Sequence, residues 1–351
     1  MNEFRELFAC PACAGAFAVD WSCCGCGLRF DVVDGIPDLR LPGDERTDAV
    51  RRFYEHAPFP GYPPHDTLHA LRARAERSPF PRALDRAIAG DARIVDVGCG
   101  TGQMCLFLAR ADRVVVGADM ARASLRLGGA AAEQFGLDRV QFVETDLQRP
   151  GLRSGAFDVV YSSGVLHHTP DPRASFARLA QLARPGGTIV LGVYNAFARL
   201  PARLRRLAAL LPGFSLVPFD PVLRDRQHQP ARREAWLRDQ YQHPEEHSHT
   251  VAEVQGWFAE NGVEYLRTYP SAMLDEQPED LFAGAADNWW PEEWLAQVGW
   301  MWTLGREGGL FFTVGRRAVQ PPADGERPPD RMAVLPQVGT VISGGCRCDR
   351  S

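Results

Sequence analysis

Between residues 93 and 193 the chain alternates five short apolar runs with helix-period segments, and this alternation restricts the fold more than any other feature. The runs are 93–98 (RIVDVG), 113–119 (RVVVGAD), 140–145 (VQFVET), 157–162 (FDVVYS) and 187–193 (GTIVLGV). Each is the length of a strand and rich in β-branched residues, and helical patterns such as 102–110 and 173–183 lie between them. Continuous apolar strands joined by helices imply a parallel sheet covered on both faces. The alternation breaks at 195–249 and resumes at "HTVAEVQGWFAENG", where Thr250 is the expected N-cap, Glu253 completes a capping box and Gly262 ends the helix. Two further strands are expected at 263–269 and 309–315, with a Trp-rich insertion between them. The expectation is an α/β fold with a seven-stranded sheet. The 351 residues, 45% hydrophobic, suffice for one large domain with additions.

The first strand runs into "VDVGCGTG", in which Gly98, Gly100 and Gly102 let the backbone turn tightly at the start of a helix. Asp119 ends the second strand, where an acid can accept both hydroxyls of a ribose. Asp146 follows the third strand in "VETDL", the fourth leads to "SSGVLHH", and "ARPGG" precedes the fifth. This ordered set resembles the class I S-adenosylmethionine-dependent methyltransferases, strongly over 91–195 and more weakly to about 317. The loop is G-x-G-x-G rather than the dinucleotide G-x-G-x-x-G, and S-adenosyl-L-methionine has no pyrophosphate to cradle. The resemblance implies a Rossmann-like sheet with helices on both faces. It also implies that Asp96 and the Gly98–Gly102 loop face the methionine part, that Asp119 holds the ribose and that Met120 lies against the adenine. Asp146 then takes the adenine amino group, the Leu147 amide a ring nitrogen, and the Ser163 backbone the methionine amino end.

Methyl transfer of this class is an in-line displacement with a good, neutral leaving group, so alignment and water exclusion are the protein's main tasks. A base helps when the acceptor must lose a proton. His167 and His168, just past the fourth strand, are the candidate catalytic residues, and "GVLHHTPDP" is similar to the same segment of ubiquinone and menaquinone C-methyltransferases. The [DNS]-P-P-[YF] of exocyclic-amine nucleic-acid methyltransferases is absent from this strand. Cys99 and Cys105 read as core and loop residues.

Cys10, Cys13, Cys23 and Cys26 form C-x2-C-x9-C-x2-C, two knuckles that supply four thiolates for a tetrahedral Zn2+. A module of this size has too little core to be stable without metal. The segment resembles the small zinc-ribbon proteins that bind and activate tRNA and protein methyltransferases, here fused in one chain. A closed four-cysteine site implies structural zinc. Cys24 is spare inside the second knuckle, and Cys346 and Cys348 in the tail take no assigned role.

"DQYQHPEEHSHT", residues 239–250, contains H-x-x-E-H, a zinc-hydrolase pattern. That reading needs His243 and His247 on one helical face, yet Pro244 follows His243 directly and a third ligand is not evident. The alternatives are that these residues cap and orient the helix after 250, or that they contact the acceptor, with His243 a further candidate base. Motifs shared with a group of bacterial class I methyltransferases add Tyr54, Tyr62, Tyr194, Asn195, Glu246 and His249 as pocket candidates. The segment 199–211 is an arginine-rich amphipathic helix, either a solvated face on a lid or a contact for a membrane surface, an RNA or an acidic partner. Trp289, Trp290, Trp294, Trp300 and Trp302 read as core or lid packing, or as a stacking surface for an aromatic acceptor.

The expected organisation is a zinc ribbon at 1–40, a helical linker lining the site at 41–90, and a methyltransferase domain at 91–317. That domain carries acceptor or lid insertions at 195–249 and 272–308, and a disordered tail follows at 318–351. The expected activity is methyl transfer to a small-molecule acceptor (O-, N- or C-methylation). The alternative is an RNA methyltransferase that uses the ribbon to hold rRNA or tRNA, and a third possibility is a binding module without chemistry. A net charge of −5 opposes nucleic acid. All 39 basic residues are arginine, which excludes lysine Schiff-base and P-loop chemistry. The N-terminus lacks a signal pattern and no run of about 18 apolar residues occurs. The expectation is therefore a cytoplasmic protein with no membrane insertion and no obligate protein partner.

Overall fold

A computed structural model describes residues 2–43, 51–52, 55, 67–110, 112–211, 214–217, 219–225, 228, 230–237, 241, 246–272, 280–284, 290–304 and 308–319. Tyr54, Tyr62, His243, Trp289, the Trp290 side chain, Cys346, Cys348 and nearly all of the expected tail lie outside that set.

Seven strands form one sheet: β1 (Arg93–Val97), β2 (Val114–Asp119), β3 (Val140–Glu144), β4 (Phe157–Ser163), β5 (Ala183–Tyr194), β6 (Val263–Tyr269) and β7 (Leu310–Arg317). Their spatial order is β3-β2-β1-β4-β5-β7-β6. The first five are parallel, and β7 runs antiparallel between β5 and β6. Neighbouring residues on a strand point to opposite faces. Val95, Val116, Val160 and Ile189 accordingly join one apolar cluster, while Ile94, Val115, Val159 and Val190 join the other. The strand order reverses between β1 and β4, so the loops after these two strands flank a crevice at their carboxyl ends.

β5 begins four residues earlier than the sequence suggests. Pro185, Gly186 and Gly187 read as a turn, but Ala183 already pairs with Phe157, and the register then slips to Val159 against Thr188. The glycines are absorbed as an irregularity inside the strand, with Gly186 at φ 76.

Helices α1 (Leu68–Arg77), α2 (Pro79–Ala87) and α3 (Gln103–Leu108) pack on one face, where Leu71, Leu84 and Leu106 join the Ile94 cluster. The opposite face is covered by α5 (Pro172–Leu182) and α9 (Val251–Glu260) through Phe176 and Phe258, whose rings stack at 4.8 Å. Arg122–Gln134 forms α4 between β2 and β3. Thr250 caps α9 by accepting from the Glu253 amide at 3.2 Å. The Glu253 side chain does not complete the expected box; it turns to His249 Nδ1 at 2.9 Å.

The N-terminal module adds itself to the β3 edge. Asp38 bridges Glu144 in parallel, and the Leu39 amide donates to the Glu144 carbonyl at 2.8 Å. Phe8 bridges Leu152, and the Arg153 amide donates to the Leu7 carbonyl at 2.8 Å. Leu7, Phe8, Phe17, Phe30 and Leu39 are buried in the same cluster as Val95, Val116 and Val143. A charged seam reinforces the joint. Glu144, almost fully buried, takes Arg40 at 2.7 Å and Arg122, while Arg40 also forks onto Asp38 at 2.8 and 2.9 Å. Burial pushes the Glu144 carboxyl up, and the two guanidinium groups pull against that shift.

After β5 the insertion contributes α6 (Leu200–Ala208), α7 (Pro221–Asp225) and α8 (Pro230–Leu237), and α10 (Trp290–Gly299) precedes β7. Among the described residues no helix is long and apolar enough to cross a membrane.

Candidate functional site

The loop after β1 is forced into shape by its glycines. Gly98, Gly100 and Gly102 all have positive φ, at 76, 53 and 74. A Cβ on Gly98 would lie 2.0 Å from Val165 Cγ2, so the first turn also needs glycine for space. Gly102 is the N-cap of α3, and a Cβ there would meet the Phe142 ring at 2.5 Å. The Gly98 amide donates to the Ala118 carbonyl at 2.7 Å, which draws the loop onto the end of β2.

Asp119 at that end holds the loop from its side chain. Oδ2 accepts from the Gly100 amide at 2.8 Å, and Oδ1 from the Ala121 amide at 2.9 Å. Burial raises its pKa, and the amide bonds oppose the rise. Met120, next in the chain, is half-buried. Asp96 on β1 is buried deeper, and burial pushes its carboxyl up to about 7, with a further push from Asp119 against the Cys105 thiol, which donates to it at 3.5 Å. Cys99 and Cys105 are buried and their thiols are raised by burial, as befits packed residues rather than nucleophiles. Asp146 closes a turn by accepting from the Gln148 amide at 2.8 Å, and Leu147 is buried beside it. Ser163 ends β4, next to Gly164, whose amide donates to Gly192 on β5 at 3.1 Å.

His167 and His168 sit in a single 3-10 turn, Leu166–His168, immediately beyond β4, and both are buried. The His167 ring stacks on Tyr194 at 3.8 Å with 25° between planes, and the Arg199 guanidinium lies 4.1 Å from the centre of the same ring. Two groups so close to one centroid must occupy its opposite faces, so Tyr194 is held between a histidine and a cation. His168 meets both rings edge-on, at 4.3 Å from His167 and 5.8 Å from Tyr194. Arg199 is itself fixed by a buried fork onto Glu246, at 3.1 and 2.5 Å, and by the Gly308 carbonyl at 3.2 Å.

This pair shows what the 239–250 stretch does in its described part. Glu246, the glutamate of the H-x-x-E-H pattern, is engaged with Arg199. The His247 amide donates to the His167 carbonyl at 2.8 Å, and Asn195 bridges His249. The Asn195 side chain accepts from Phe197 and Ala198 and donates to Gln297 Oε1 at 2.9 Å; the same oxygen accepts the Val251 amide at 3.0 Å. Burial lowers the His249 pKa despite Glu253. The stretch therefore closes over the carboxyl ends of β4 and β5. Gln297 had no sequence signal of its own, and Arg199 and Glu253, legible only as part of an arginine-rich helix and as a capping-box residue, act instead through Glu246, remote in the chain, and His249, one helical turn before. His243 lies outside the described residues.

The four knuckle cysteines converge, with their sulfur atoms all within 4.8 Å of one another. Cys10 and Cys26 are 3.6 Å apart, and Cys13 and Cys23 3.4 Å. The edge of a zinc–sulfur tetrahedron with bonds of about 2.3 Å is about 3.8 Å, so the donor set fits zinc in kind and spacing. Amides of Gly25 and Cys26 donate to Cys23 Sγ at 3.3 and 3.5 Å, which suits a thiolate. Cys24 stands outside the set.

Residues 95–191 match the family model of a methyltransferase domain. An uncharacterised protein of Synechococcus sp. is 28% identical over 74% of this chain and 66% of its own length. The ubiquinone biosynthesis O-methyltransferase of Xanthomonas oryzae pv. oryzae is 33% identical over 50% of this chain and 71% of its own. Several other ubiquinone biosynthesis O-methyltransferases are matched over between 44% and 61% of their own length. Among solved structures, a geranyl diphosphate C-methyltransferase from Streptomyces coelicolor is 15% identical, with a TM-score of 0.45 over 79% of this chain and all of that one.

Proposed function

We propose that this chain, which belongs to the class I S-adenosylmethionine-dependent methyltransferases, methylates a small-molecule acceptor held above the carboxyl ends of β4 and β5. The observation that carries this reading is the packed His167–Tyr194–Arg199 stack with His168 beside it, on the strand end next to the glycine loop. The positive-φ loop from Gly98 to Gly102, with an acid at the end of β2, fits the cofactor. Asp96, Gly98, Gly100, Gly102 and Ser163 would hold its methionine part, Asp119 the ribose, and Met120, Asp146 and Leu147 the adenine. When bound, S-adenosylmethionine supplies a sulfonium methyl whose departure leaves a neutral thioether.

The residues of the chain do the rest. Tyr194, clamped on both faces, forms a rigid wall that orients the acceptor and keeps water out. His168 is the base that takes the acceptor's proton, and His167 holds Tyr194 in place. Zinc at Cys10, Cys13, Cys23 and Cys26 is structural, since four thiolates leave no open position. On this reading residues 1–40 are the metal module, 41–90 line the site, and 195–249 and 272–308 enclose the acceptor within the 91–317 domain.

The test supplies labelled S-adenosylmethionine and host extract split into small-molecule, RNA and protein fractions. Label is expected in the small-molecule fraction, and nuclease-sensitive label would overturn the reading. Asp119→Ala should weaken cofactor binding by roughly 10- to 100-fold, on the scale of lost charge-assisted hydrogen bonds. Unchanged affinity by calorimetry would remove Asp119 from the site.

A further inference from the structure

α6 faces the wrong way for a lid helix. Its one buried residue is Ala202, while Leu204, Leu207, Leu210 and Leu211 are 58–81% exposed. Leu200, Leu204 and Leu207 follow the i, i+4, i+7 spacing, which puts them within an arc of about 60° on one side of the helix. An amphipathic helix normally turns such a stripe inward. Here it is the stripe that meets solvent, and it does not end with the helix. Phe219 is exposed where its carbonyl meets Arg205, and Trp294 on α10 is exposed where its ring packs edge-on against Phe197 at 5.0 Å. The leucines of α6, Phe219 and Trp294 are thus large apolar side chains left exposed in and around one helix, of a kind that marks an interaction surface.

The face is built rather than frayed. Arg199 locks the start of α6 through Glu246 and Gly308. Arg205 reaches Asp220 at 3.4 Å. Asp220 also accepts the Tyr241 hydroxyl at 2.6 Å and caps α7 through the Val222 and Leu223 amides. Arg203 reaches Ser248 at 2.6 Å. Polar bonds therefore hold the helix from below and leave the leucines on top.

Charge identifies the occupant. Residues 199–238 contain nine arginines against three acidic residues, in a chain whose net charge is −5. Arg203 and Arg206 are exposed beside the leucine stripe. We propose that this face docks on an anionic lipid bilayer surface, with the leucines and Trp294 at the acyl boundary and the arginines among the headgroups. A second copy of the chain fits poorly, because a self-complementary contact would bring the same arginines together. The attachment is peripheral and independent of the methyl-transfer reading.

The full chain is sedimented with vesicles of phosphatidylcholine alone and of equimolar phosphatidylcholine and phosphatidylglycerol. Binding is expected to the anionic vesicles, to fall with added salt, and to shift tryptophan emission to the blue in the parent chain but less in Trp294→Phe. The double variant Leu204→Ser, Leu207→Ser should bind at least ~10-fold more weakly. Its melting temperature and cofactor affinity should not change, since both positions are exposed. Arg206→Glu should weaken binding and reduce its salt dependence. Absence of sedimentation with either vesicle would overturn the proposal, as would equal binding to both. Concentration-dependent dimerisation abolished by the leucine variant, without vesicle binding, would also overturn it and make the face a self-interface.

Discussion

The N-terminal ribbon and the insertion after β5 decorate one sheet, the first at its β3 edge and the second above β4 and β5. The ribbon is joined by shared apolar interior: Phe8 and Leu39 belong to the cluster that contains Val95 and Val143. The insertion meets the rest of the chain through polar contacts, with the His247 amide on the His167 carbonyl, Arg199 on the Gly308 carbonyl and Asn195 on Gln297, and it is braced within itself by Arg199 on Glu246 and the bonds around Asp220. Apolar joints are cooperative with the body they join, since their loss opens the common core. Polar joints are directional and confine damage to themselves, at a high local cost when one partner is removed. The ribbon should therefore unfold with the sheet, whereas the insertion can fail alone.

The largest expected effect follows from Cys10→Ser. If the sulfur cluster supports a core shared with the sheet, metal content by mass spectrometry should fall and the single thermal transition should drop by on the order of 10 °C. A separate low-temperature transition with the main one unmoved would break the comparison. Next is Arg199→Met, which leaves Glu246 buried without its cation. It should cost about 3–5 kcal/mol of local order. Hydrogen exchange should quicken in 195–211 and 246–250 and methyl transfer should collapse, while exchange in β1 to β3 stays slow.

A third test addresses the sheet between them. The Asp96 carboxyl has its pKa raised to about 7 by burial, so the folded chain keeps a proton that the unfolded chain releases near pH 4. Between those values the native state binds more protons, and stability must fall as pH rises through the window. Asp96→Asn should remove that slope, gaining roughly 2–3 kcal/mol on the parent between pH 5 and pH 7 in denaturant melts. A pH-independent difference would mean that Asp96 is charged in the fold. The smallest effect is expected from Arg40→Met at the ribbon seam. Glu144 keeps Arg122, so a loss of about 1–2 kcal/mol is expected. A loss as large as that of Arg199→Met would mean that the seam is held by charge after all.

The five parallel strands were legible because buried parallel strands are nearly uninterrupted apolar runs, the two antiparallel ones because glycines bound short β-rich segments, and the glycine loop because its backbone conformation admits little else. The start of β5 was not, since Pro-Gly-Gly carries a turn signal that the bulge against Phe157 absorbs. Periodicity placed the leucines of 199–211 on one face. It could not say which way that face points, because the answer lies in Arg199 and Arg205, whose partners are distant. Of the tryptophans read as packing or as a stacking surface, Trp300 is buried, Trp294 is half exposed and Trp302 is exposed, a division that no local pattern encodes. The histidine stretch was ambiguous for a similar reason. Glu246 is spoken for by Arg199, forty-seven residues earlier, and no local pattern encodes that pairing.

The bond from Leu39 to Glu144, and the contact of Phe8 with Leu152, also set a timetable. The ribbon is translated well before the edge it covers. At about 5–20 residues per second, the interval before Leu152 emerges is on the order of ten seconds. For that time the knuckle thiols are solvent-facing and Phe8 and Leu39 lack their partners. If the four thiolates take a metal, a nascent chain that captures it early would hold the ribbon folded until the sheet arrives, and one that captures it late would present an apolar surface to its neighbours on the polysome. Metal supply during synthesis, rather than in the finished protein, would then set the yield of native chain.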